Sequence, residues 1–132
     1  MVSSSSRRLL LLAVALYWAA LFVATHLPST DPAESDRKIP HLDKLVHAAA
    51  FAGLAVLVCS FAAVTWPPSP RMAAAVVGLL AAYGALDELT QGLVLSRYPS
   101  GWDWLADVVG AILGVLVFGV ASRVLRSTAG TG

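Results

Sequence analysis

The chain has 132 residues, 58% of them hydrophobic and 13% charged, with a mean hydropathy of +0.74. Soluble domains carry roughly 25% charged residues, so the composition points to a membrane protein. The formal net charge of +1 gives no basis for nucleic-acid binding. The single cysteine, Cys59, excludes an intramolecular disulfide and any cysteine-based metal site.

Residues 1–8 form a short polar tail that ends in Arg7 and Arg8. An apolar run over about 9–27 follows, with His26 as its only ionisable group. About 20 apolar residues span a bilayer as a helix, so this run is read as transmembrane. A signal peptide is the competing reading, but the run is long for one and Ala24-Thr25-His26 makes a poor cleavage site. Tyr17 and Trp18 sit too deep for an aromatic belt and are expected to face other helices. His26 is expected at the interface. Residues 28–41 contain Pro28, Pro32 and Pro40 among charges, the pattern of a solvated loop.

Asp43 opens a second helix, expected over about 42–64, in which Cys59 is read as packing. The prolines 67, 68 and 70 end it firmly. The third helix is expected over about 71–93 and the fourth over about 103–125, with a fraying tail from Arg126. Trp66, Trp102 and Trp104 are placed as interfacial anchors. The expected fold is all-α: one domain over 1–132, an integral membrane, antiparallel four-transmembrane-helix bundle.

The charges are distributed unevenly over the two ends. With four spans, one end carries Arg7, Arg8, Arg71, Arg123 and Arg126, and the other carries Arg37, Lys38, Lys44 and Arg97. The positive-inside rule then predicts both termini on the cytoplasmic side of the inner membrane. All eight acidic residues lie at the opposite end. Five of them mark helix ends: Asp43, Asp87, Glu88, Asp103 and Asp107.

Within each helix the polar residues share a face. Asp43 and His47, Asp87 and Gln91, and Asp103 and Asp107 are each four apart, and Glu88 and Gln91 are three apart. An ionisable residue at a membrane-helix centre costs ~3 kcal/mol on insertion scales, so it turns inward and marks a functional site by default. The expectation is a single polar pocket of Asp43, Lys44, His47, Asp87, Glu88, Gln91, Arg97, Asp103 and Asp107. Lys44 and Arg97 are the expected partners of the carboxylates. Gly110 and Gly114, with the small residues of helix two from Ala48 to Gly53, would let the helices approach closely. No cofactor is predicted. A divalent metal is an option for the His, Asp and Glu groups, although no ligand motif such as His-x-x-x-His is present.

Asp43-Lys44-x-x-His47, Glu88-x-x-Gln91, Arg97 and Asp103-x-x-x-Asp107-x-x-Gly110 together resemble the VanZ-like family of small bacterial membrane proteins, over roughly residues 9–125. The family usually has asparagine where this chain has Asp107. The resemblance implies a bacterial envelope protein; the founding member is associated with low-level resistance to the glycopeptide teicoplanin.

Three functions are compatible with these residues. The first is binding of a membrane lipid, a cell-wall precursor or a glycopeptide-type ligand, with Lys44 and Arg97 on its anionic part and the carboxylates on hydroxyls or amines. The second is an enzyme acting on a lipid-linked substrate, with Glu88 or Asp87 as general base and His47 as acid-base partner. No Gly-x-Ser-x-Gly motif supports it. The third is an assembly role beside a protein partner or a second copy. A polar cluster that only sets helix register is the structural alternative to a ligand site.

Overall fold

A computed structural model describes residues 4–27, 41–95 and 97–129. The chain forms four helices: α1 (Ser4–His26), α2 (Leu42–Ala62), α3 (Pro70–Gln91) and α4 (Gly101–Ala129). All four are long and apolar enough to cross a membrane. Of the expected loop over 28–41, residues 28–40 lie outside the described residues.

The helix limits follow local chemistry. Pro70 stands at the first turn of α3, where its missing N–H costs nothing, and the Ser69 side chain accepts from the Met72 N–H at 3.2 Å. Ser100 plays the same part for α4, accepting from the Asp103 N–H at 3.3 Å. His41, just before α2, holds φ at 66°, the left-handed region that few non-glycine residues adopt. At the carboxyl end, α4 does not fray at Arg126. It continues to Ala129, with Arg126 in the last turn where a cation complements the helix dipole. The Ser127 hydroxyl donates to the Val124 carbonyl at 2.8 Å. Likewise α1 starts at Ser4, ahead of the apolar run, and takes in Arg7 and Arg8.

Packing inside the bundle is uneven. Helix α2 is central and pairs most closely with α4, while α1 touches α2 and α3 only. The core is small: Phe51, Leu54, Ala55, Cys59, Val76, Leu80 and Ala111. Many large apolar residues point outward, including Leu16, Leu79, Leu116 and Val120. On a soluble protein such patches would be a liability; on membrane helices they face acyl chains. Cys59 is buried in this core, as expected of a packing residue. Tyr17 and Trp18 face other helices as expected. The Tyr17 hydroxyl donates to the Ala50 carbonyl at 3.0 Å, and Trp18 meets Tyr83 edge to face with centroids 4.9 Å apart.

Consecutive helices are antiparallel, so α2 and α4 run parallel. Their contact is a ladder of small residues. A Cβ on Gly110 would collide with the Ala48 carbonyl, and one on Gly114 with the Ala52 carbonyl. Residue numbers rise together along both helices, which sets the register of the pair. Gly119, further along α4, has nothing near its Cβ position and plays no part in this contact.

Candidate functional site

The α2–α4 register carries the polar residues with it. Two turns ahead of the Ala52–Gly114 contact, His47 meets Asp107 with Nδ1 and Oδ1 2.9 Å apart. One turn further out, Lys44 Nζ donates to Asp103 Oδ1 at 3.0 Å and to Asp43 Oδ2 at 2.9 Å. Lys44 thus bridges two carboxylates at the rim, where Asp43 is exposed and Asp103 half-buried.

Glu88 enters this group from α3. Its Oε2 accepts from the Ser100 backbone N–H at 2.7 Å. Its Oε1 is buried without a hydrogen-bond partner, and so is Asp107 Oδ2. Glu88 is 5% exposed and Asp107 fully buried. Asp107 Oδ2 lies toward Gly84, 3.1 Å from where a Cβ there would stand. Gly84 and Glu88 are one turn apart on the same face of α3. One ligand atom each from His47, Glu88 and Asp107 lie within 4.8 Å of one another.

Asp87 belongs to a different network. Its Oδ1 accepts from the Thr25 hydroxyl at 3.1 Å and the Tyr83 hydroxyl at 3.3 Å, and its Oδ2 accepts from the Gln91 amide at 2.7 Å. His26 adds a contact from α1, with Nδ1 3.8 Å from Asp87 Oδ1 and Nε2 3.0 Å from the Thr90 hydroxyl oxygen. Consecutive residues on a helix point about 100° apart, given 3.6 residues per turn. Asp87 therefore turns to α1 while Glu88 turns to α2 and α4.

The nine residues expected in one pocket are thus divided. Asp43, Lys44, His47, Glu88, Asp103 and Asp107 form a connected set, and Asp87 and Gln91 lie in the α1–α3 network. Arg97 joins neither. It donates from Nε to the Leu27 carbonyl at 3.2 Å, and among the described residues it forms no ion pair. Gly110 and Gly114 pack α4 on α2, as expected. The tryptophans 66, 102 and 104 are all exposed, and Trp104 is also tied to α3 by a 3.0 Å bond from its indole N–H to the Ala81 carbonyl.

Four participants carry roles the sequence did not mark: Thr25, Tyr83, Ser100 and His26. Tyr83 precedes Asp87 by one helical turn, which is the one spacing signal that could have found it. Ser100 stands three residues before Asp103 in a helix-start pattern, whereas Thr25 acts across the fold and leaves no local trace. The clefts at the opposite membrane end are apolar, one of about 310 Å³ against α4 and one of about 570 Å³ between α2 and α3. Neither touches an acidic residue.

Comparison with known proteins returned no matching family model, no similar curated protein and no similar solved structure.

Proposed function

We propose that this chain is a VanZ-like bacterial envelope protein that binds the polar head of an envelope lipid, cell-wall precursor or glycopeptide-type molecule at His47, Glu88 and Asp107. The observation that carries this reading is the pair of buried carboxylate oxygens without donors. A buried acceptor left unsatisfied costs about 1–3 kcal/mol, and more when charged. Hydroxyl or amine groups of a bound molecule would remove that cost.

An anionic group has less to meet. Lys44 is engaged by Asp43 and Asp103, and Arg97 reaches toward the end of α1. Support for orientation comes from the arginines at the other end, which favour cytoplasmic termini in the inner membrane. The acidic end of the bundle would then lie on the extracytoplasmic side.

Native mass spectrometry of protein purified from its host membrane tests this. The expected spectrum shows a co-purifying head-group-bearing molecule that is lost in Glu88→Gln and kept in Asp87→Asn. No adduct on the wild-type chain, or one indifferent to Glu88→Gln, contradicts the reading.

A further inference from the structure

We infer that His47, Glu88 and Asp107 form a binding site for a divalent transition-metal ion. Each of three helices, α2, α3 and α4, supplies one ligand from a rigid element. The three ligand atoms lie within 4.8 Å of one another, and the His47–Asp107 edge is already 2.9 Å. Ligands at roughly 2.0–2.2 Å from one tetrahedral ion stand about 3.3–3.6 Å apart, so the widest edge of the set closes by about an ångström when an ion binds.

The second observation is independent of that clustering. Glu88 Oε1 and Asp107 Oδ2 are buried and have no partner, while the other oxygen of Glu88 is held by the Ser100 N–H, from outside the ligand set. Ligating carboxylates are commonly oriented by such outer contacts. Charge points the same way. The connected set holds four carboxylates, Asp43, Glu88, Asp103 and Asp107, against the single ammonium of Lys44. A divalent cation would balance the two buried carboxylates, Glu88 and Asp107, inside an apolar bundle.

One imidazole and two carboxylates suit Zn²⁺ or Mn²⁺, whereas Mg²⁺ favours oxygen ligands and retained water. Three protein ligands leave a coordination position open. A head-group oxygen could occupy it, which would give this acidic site an attraction for anionic groups that Lys44 and Arg97 do not supply. The inference shares its location with the binding reading above, but the ion needs no head group to bind.

The competing occupant is a single proton shared between Glu88 and Asp107. Calorimetric titration of the chelator-treated, detergent-purified full chain with Zn²⁺, and Mn²⁺ titration followed by electron paramagnetic resonance, separate the two. The expected result is one ion per chain. Glu88→Gln and Asp107→Asn should each weaken it by about 100-fold or more, the upper end of what outer-contact changes alone produce. Asp87→Asn should leave it unchanged.

Histidine ring resonances of the wild-type chain provide a readout free of folding defects in variants. On Zn²⁺ addition His47 should shift, and His26 and His41 should not. No saturable binding by the folded wild-type chain, equal weakening by Asp87→Asn, or a shift confined to His26 or His41 overturns the inference. Absence of the ion leaves direct head-group binding standing, and absence of a co-purifying head group leaves the ion standing.

Discussion

Asp87 and Glu88 are adjacent in sequence, sit in the same turn of α3, and are 1% and 5% exposed. Yet Asp87 accepts from Thr25, Tyr83 and Gln91, while Glu88 has one backbone donor and one empty oxygen. Burial alone therefore does not distinguish an acid whose hydrogen bonds the protein completes from one it leaves open. What distinguishes them is whether the surrounding helices complete the hydrogen bonding. The α1–α3 network is closed within the protein. The α2–α3–α4 network is closed on its rim by Lys44 and open at its centre.

The widest effect is expected from separating the helices that hold the open network together. Gly110→Leu drives a side chain into the Ala48 backbone. Overpacking of this kind costs typically about 1–3 kcal/mol, occasionally more, and here backbone rather than a flexible side chain must yield. Thermal unfolding in detergent should show a large drop in midpoint, together with loss of whatever binds at His47.

Asp87→Ala strikes the closed network and should cost about 1–3 kcal/mol, because it strands the donors of Tyr83 and Gln91. Thr25→Val keeps shape and removes one donor to Asp87. Its expected cost is about 0.6 kcal/mol, the average for interhelical hydrogen bonds in a membrane. Both variants should retain ligand or ion binding in the mass-spectrometric and calorimetric assays. If Asp87→Ala folded as stably as wild type but lost the ligand, the roles of the two networks would be exchanged.

The four spans were legible because apolar run length and proline breaks report directly on membrane helices. The α2–α4 contact was legible because Gly110 and Gly114 sit one turn apart. Spacing placed Asp43 with His47, and Asp103 with Asp107, on single helix faces, and the structure joins those two faces through Lys44–Asp103 and His47–Asp107. What sequence could not resolve was the direction each residue of α3 takes. Asp87 and Glu88 differ by one step along the helix, and which neighbour each meets depends on how α1 and α4 flank it. Arg97 looked like a carboxylate partner by charge alone, but its loop carries it toward the Leu27 carbonyl. Tyr83 extends the Asp87–Gln91 face by one turn, whereas Thr25 is a single polar group in an apolar helix and forms no stripe.

The account rests on the open network being incomplete by design of the helix packing, and Glu88→Gln measures this directly. The glutamine carbonyl can keep the Ser100 bond, while the substitution removes one of the two buried carboxylates that lack a donor. The thermal unfolding midpoint of ligand-free Glu88→Gln should equal or exceed that of wild type, by up to about 1 kcal/mol of added stability. A midpoint lowered as far as that of Asp87→Ala would contradict the account, since Glu88 would then be as structural as its neighbour.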